Sequence, residues 1–153
     1  MTNKRGYFGV GVFHPKHEVN IGTLWRSAYQ MGADFVFTIG RRYDVQAADT
    51  TKAWRNIPLM HYQGFDDFRE HLPFSCRIVA VEMGGKSLST FTHFERCIYL
   101  LGAEDSGLPQ DVLNKCHYVV SLDAIRIPSY NVAVAGSIVL YDRMNKRVIE
   151  AIT

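Results

Sequence analysis

The segment Phe35–Ile39, FVFTI, constrains the fold of this chain more than any other. It is short, apolar or β-branched throughout, and closed by Gly40. A strand with one face in water alternates polar and apolar residues, whereas a strand covered on both faces does not. FVFTI therefore needs helices on both sides, the condition of a parallel sheet in an α/β fold. The surrounding sequence provides matching layers. Tyr7–Phe13 reads as a strand around GVGVF, whose glycines permit close backbone approach. Val19–Met31 predicts a helix with Asn20 near its N-cap and Gly32 just past its end. Gly40 to about Asn56 is polar with little periodicity, and Asp66–His71 predicts a short helix stopped by Pro73. Ile78–Val81 and Cys97–Leu101 are the third and fourth predicted strands, and Tyr118–Leu122 the fifth. Pro109–Lys115 reads as a helix with proline at its first position. Asp123–Ser129 reads as a loop, and Tyr130–Val148 as a final helix with Val132, Ala135, Val139 and Met144 toward the core.

The expected architecture is α/β, a mainly parallel sheet flanked by helices, in a single domain over residues 1–153 without repeat or linker. Ligands of such sheets bind at the carboxyl ends of the strands. The loops after Val81, Leu101 and Leu122 are the first places to look.

Composition narrows the classes. No apolar run approaches the roughly 20 residues that cross a bilayer, and the N-terminus lacks the apolar core and cleavage site of a signal peptide. The expected location is cytoplasmic. Cys76, Cys97 and Cys116 form no C-x-x-C pair, and no His cluster has ligand spacing, so buried free thiols are expected and no metal is called for. A net charge of +2 is too mild to diagnose nucleic-acid binding, but Arg41, Arg42, Lys52 and Arg55 crowd one polar stretch. A flavodoxin-like nucleotide-binding protein is disfavoured by the missing G-x-G-x-x-G and P-loop patterns.

Three motifs carry chemistry. In Asn20-x-Gly22-x-x-x-Arg26, Gly22 and Arg26 are four apart and share a helix face. Helical side chains lean toward the N-terminus, so Arg26 is aimed back over Gly22 toward the first turn, with its unpaired N–H groups and positive dipole end. A glycine there costs the helix about 1 kcal/mol relative to alanine, which favours a purpose such as a phosphate site. The second motif, Gly102-Ala103-Glu104-Asp105-Ser106-Gly107-Leu108-Pro109, follows the fourth strand. Gly102 lets a ligand approach the backbone, and Glu104 can accept from a ribose hydroxyl or fix Arg26. In the third, Ser129-Tyr130-Asn131-Val132-Ala133-Val134-Ala135-Gly136, Ser129 and Asn131 bracket the start of the last helix, whose small residues allow close packing.

In this order and at these distances the motifs resemble those of the SPOUT methyltransferases, specifically the SpoU branch that methylates the ribose 2′-hydroxyl of tRNA or rRNA. The resemblance covers nearly the whole chain. The family's Ile-Pro pair before the last loop has two possible counterparts here, Ile127-Pro128 or Leu122-Asp123, and the second preserves the normal loop length. Tyr130 replaces a usual Leu or Met, and Ala133 a usual Ser.

The resemblance implies a deep trefoil knot formed from about Leu101 to Asn131, a homodimer pairing through the first and last helices, and S-adenosylmethionine as methyl donor. It makes Arg26 the catalytic residue, either as base or as holder of a phosphate that takes the proton. Asn20 and Glu104 would orient Arg26 and the ribose, and Ser129 and Asn131 would hold the target phosphate or the cofactor. Backbone groups near Val81, Gly102, Leu122 and Ser129 would cradle the cofactor. RNA would be held by the catalytic domain itself, through the basic stretch Arg41 to Arg55, with Tyr43, Trp54 and Tyr62 available to stack on bases. The competing expectation is an RNA-binding protein of the same fold that is catalytically silent.

Overall fold

The computed structural model describes residues 6–42 and 56–150. The elements are β1 (Tyr7–Phe13), α1 (Glu18–Gln30), β2 (Phe35–Ile39), β3 (Leu59–Tyr62), α2 (Phe65–Glu70), β4 (Arg77–Ser87), a 3₁₀ turn at Leu88–Thr90, β5 (Arg96–Leu101), α3 (Gln110–Lys115), β6 (Tyr118–Ser121) and α4 (Val132–Asn145). The six strands form one sheet in the order β3-β2-β1-β5-β4-β6, and each neighbouring pair is parallel.

Both faces of the sheet are covered, as FVFTI requires: all five of its residues are buried. Phe8, Val10, Val12, Tyr99 and Leu101 pack into one core with Leu24 and Trp25 of α1 and Val139 and Leu140 of α4. Phe35, Phe37, Ile98 and Leu100 pack into the other with Phe65 and Phe68 of α2 and Val112 of α3. Each large apolar side chain so buried contributes roughly 1.5–3 kcal/mol. Gly9 and Gly11 make room for aromatic rings rather than backbone: a Cβ at either would fall 2.5 and 2.4 Å from the rings of Phe35 and Phe37. Gly136 lets α4 close on α1, since a Cβ there would meet Leu24 Cδ1 at 2.4 Å.

Several expected boundaries move. β3 is an added edge strand; its residues are half-buried or exposed and carry no clean alternation. β4 runs on through Glu82–Ser87, because its register on β6 shifts between Val81 and Lys86 and pairing then resumes. α4 is shorter at both ends than Tyr130–Val148, starting after Asn131 and stopping at an extended Lys146. Asn20 is not a cap: His17 holds the N-cap position of α1, and Asn20 lies within its first turn. Cys76 and Cys97 are buried and Cys116 half-buried, all free thiols. Burial pushes their pKa values up, to about 12 for Cys97 and about 11 for Cys116.

Candidate active site

The strand order reverses between β1 and β5: the chain leaves β1 for α1 on one face and β5 for α3 on the other. Such a switch point opens a crevice at the carboxyl ends of the strands. Two of the three motifs leave the sheet here, and the third is bonded to them.

Asn20 Nδ2 donates to Glu104 Oε1 at 2.8 Å, and Asn20 Oδ1 accepts from Asn131 Nδ2 at 3.1 Å. Asn131 Oδ1 accepts from the amides of Ala133 and Val134 at 2.9 and 3.2 Å, capping α4. A carboxylate only accepts and a backbone amide only donates, so the two ends of this chain fix both asparagine orientations. The cap is worth about 1 kcal/mol. The other Glu104 oxygen, Oε2, accepts from the Lys16 amide at 3.3 Å, while Lys16 Nζ pairs with Asp105. Burial pushes the Glu104 carboxyl up, but the bonds from Asn20 and Lys16 and the nearby His17 outweigh it and hold the pKa below the usual value. Lys16 lowers that of Asp105.

Beside this network lies a cleft. Its wall contains Val81, Gly102, Leu122 and Ser129, the four expected cofactor contacts, together with Glu104. The loop that carries Ser129 is held at its base, where Tyr130 Oη donates to Asp123 O at 2.6 Å and Ser87 Oγ to Asp123 Oδ2 at 2.6 Å. The cleft suits the chemistry of S-adenosylmethionine. Leu101, Leu122, Val132 and Ala135 offer apolar surface to an adenine, and Glu82, Glu104 and Asp105 place carboxylates where a cationic ligand is favoured.

Gly102 is required by the turn itself: a Cβ there would lie 2.5 Å from Gly107 C, and Ala103 and Gly107 bridge across the turn. Glu104 engages Asn20 and Lys16 rather than Arg26. Arg26 lies on the exposed side of α1, outside the cleft wall, six residues past Asn20 or about 9 Å along the axis. Arg41 donates from its guanidinium to Pro15 O at 3.4 Å and to Lys16 O, bracing the β1–α1 turn. Arg41 and Arg42 are both exposed. Lys52, Arg55, Tyr43 and Trp54 lie outside the described residues. Sequence reasoning missed Lys16, Asp105 and Glu82. The last was visible as a carboxylate directly after the apolar run IVAV, a position that meets the cleft once the strand is placed.

An all-parallel α/β sheet with a cleft at its switch point defines the class of protein, and comparison with known proteins narrows it. The SpoU rRNA Methylase family matches residues 8–141, and the chain belongs to that family. No curated protein sequence matches. Among solved structures, the chain is similar to the SpoU methyltransferase AviRb from Streptomyces viridochromogenes, solved in complex with AdoMet, with a TM-score of 0.82 and 22% identity over 94% of this chain and 58% of that one. It is also similar to a structure described for 2-OH methylation of C/U34 on tRNA, with a TM-score of 0.78 and 24% identity over 91% and 95% of the two chains. A third is the TrmH/SpoU tRNA modifying enzyme of A. aeolicus, with a TM-score of 0.81 and 16% identity over 95% and 76%.

Proposed function

We propose that the protein is an S-adenosylmethionine-dependent RNA methyltransferase acting on a ribose 2′-hydroxyl of tRNA or rRNA. The observation that carries this reading is the hydrogen-bonded joining of Asn20, Glu104 and Asn131 beside a cleft walled by Val81, Gly102, Leu122 and Ser129. Family membership supports it.

S-adenosylmethionine supplies a methyl group already activated on a sulfonium. The chain must then align the hydroxyl and help remove its proton. A guanidinium has donors and no acceptor, so Arg26 holds a target phosphate and stabilises developing alkoxide charge, while that phosphate takes the proton. Ser129, exposed at the cleft, contacts the ligand directly. Asn20, Glu104 and Asn131 act by fixing the first turns of α1 and α4. Arg41, Arg42, Lys52 and Arg55 bind the RNA backbone.

We also propose a homodimer. An apolar groove between α1 and α4 is lined by Thr23, Met31, Val134, Ile138 and Tyr141, and Val19 and Tyr141 are each 59% exposed. Such surface favours burial against a partner. Arg26 lies one turn from Thr23, so pairing through this groove sets it at the seam between two copies. Sedimentation at micromolar concentration is expected to give a dimer, and a monomer would count against this part of the proposal. The deep trefoil knot from about Leu101 to Asn131, the single domain over 1–153 and the cytoplasmic location complete it.

Mass mapping of ribose methylation in RNA from a deletion strain tests the function. Loss of one 2′-O-methyl nucleotide, restored by the wild-type gene, is the expected result. An unchanged methylation map with retained RNA binding and no S-adenosylmethionine affinity would instead identify a catalytically silent binder.

A further inference from the structure

The cleft wall includes three carboxylates, Glu82, Glu104 and Asp105. Glu104 receives Asn20 and the Lys16 amide, and Asp105 pairs with Lys16. Glu82 belongs to a different element. It stands in the middle of β4, the first residue after the regular pairing with β6 breaks off at Val81. Its Oε2 accepts from the Leu108 amide at 2.7 Å and its Oε1 from the Met83 amide at 3.0 Å. Gly107, at φ +64°, is pressed against it so closely that a Cβ would fall 2.4 Å from Oε2. The carboxylate is thus held between the irregular stretch of its own strand and the turn at Gly107–Leu108, with little freedom to lose on binding a ligand. A carboxylate has about four acceptor positions, and the two amides use one on each oxygen.

We propose that Glu82 is a cofactor-binding residue whose remaining acceptor positions receive the ribose hydroxyls of the adenosyl group. The inference rests on the cofactor reading of this cleft. The chemical precedent is general: in α/β folds that bind adenosyl groups, a carboxylate near a strand's carboxyl end accepts from the ribose diol. Glu104 offers the same group, but its oxygens face Asn20 and Lys16. Glu82 also ties the second motif to β4, so one side chain both shapes the turn from Gly102 to Leu108 and reads the ligand.

The test is calorimetry on the full chain with S-adenosylhomocysteine and its 2′-deoxy and 3′-deoxy analogues, none of which requires turnover. The native protein is expected to bind at least one deoxy analogue about 10-fold more weakly than the parent, the scale of one hydrogen bond to a charged acceptor. Glu82→Gln should bind the parent about 10-fold more weakly while losing most of the discrimination between parent and deoxy analogue. A purely structural role would weaken all three ligands alike and leave the discrimination intact. Glu82→Asp keeps the charge but shortens the arm, and should lose the discrimination too, which provides a second variant if Glu82→Gln fails to fold. Equal binding of all three ligands by the native protein, or intact discrimination in a folded variant, would overturn the inference. A native protein that bound none of them would overturn the cofactor reading of the cleft and this inference with it.

Discussion

Helix α4 is tied down by a polar network at each end, and the two networks are built on opposite principles. At its start, Asn131 joins Asn20 and Glu104 beside the open cleft. At its end, Arg143 is 1% exposed and His93 and Tyr99 are fully buried. There Arg143 donates to Tyr99 Oη at 3.0 Å and to the carbonyls of Phe94 and Glu95 at 2.6 and 3.1 Å, with its guanidinium 4.2 Å from the Phe8 ring centre. His93 lies 2.7 Å from both Tyr99 Oη and Asp142, and Lys146 also pairs with Asp142. The donor directions follow: Tyr99 gives its proton to His93 Nδ1, and His93 Nε2–H gives to Asp142. The sealed network directs most of its hydrogen bonds to its own members and to buried carbonyls and serves stability, whereas the open one keeps acceptors and Ser129 facing the cleft. A site must be left partly unsatisfied by its own chain, and that is where loops rather than packed aromatics supply the wall.

The contrast is broken most severely at Arg143. Arg143→Ala should cost about 3 kcal/mol, because it strands buried carbonyls and removes packing on Phe8. Urea unfolding measures this, and a loss below about 1 kcal/mol would mean that the sealed network is not a stability element.

Next comes Arg26. Arg26→Ala should lower turnover at least about 100-fold while leaving the fold and cofactor binding in place, as expected for an exposed residue acting on reacting charge. Arg26→Lys should fail as well, since lysine lacks the planar fork that grips a phosphate. Single-turnover assays with calorimetry on the same samples separate the two effects. Normal turnover in Arg26→Ala would make Arg26 a surface residue.

The smallest effect is a pH dependence. Burial lowers the His93 pKa, the bond to Asp142 opposes this, and Arg143 and Lys146 reinforce it. A depressed folded value means that the unfolded chain binds the proton more readily. Stability is therefore complete above the unfolded pKa of about 6.5 and declines as pH falls toward the folded value, with a slope of at most about 1.4 kcal/mol per pH unit. Asp142 and Arg143 of α4, Lys146 just past its end and Tyr99 of β5 are the groups facing His93. Urea unfolding from pH 7.5 down to 5 on wild type and His93→Gln isolates its share; identical slopes would remove His93 from the account.

The same contrast explains what could be read from the sequence. β1, β2 and β5 were legible because central strands covered on both faces are written in unbroken apolar runs. β3 was not, since an edge strand at half burial has no distinctive pattern, and β4 hid its second half in the polar EMGGKS. The meeting of Asn20, Glu104 and Asn131 was legible only as motif spacing, because residues 111 apart along the chain, Asn20 and Asn131, are joined by topology and not by local pattern. Arg41 shows a related limit: nothing in a polar stretch tells which carbonyls the β1–α1 turn brings to its arginine. His93 and Arg143 gave no signal at all, being polar residues whose burial depends on where α4 ends.

Methyl transfer to a ribose hydroxyl is open to one direct measurement. Unmodified RNA from a deletion strain is incubated with the full chain and methyl-labelled S-adenosylmethionine, then digested to nucleosides and resolved by mass spectrometry. Label is expected in a 2′-O-methyl nucleoside, and is lost in Arg26→Ala. Label in a methylated base, or in no nucleoside at all from RNA that the protein binds, would contradict it.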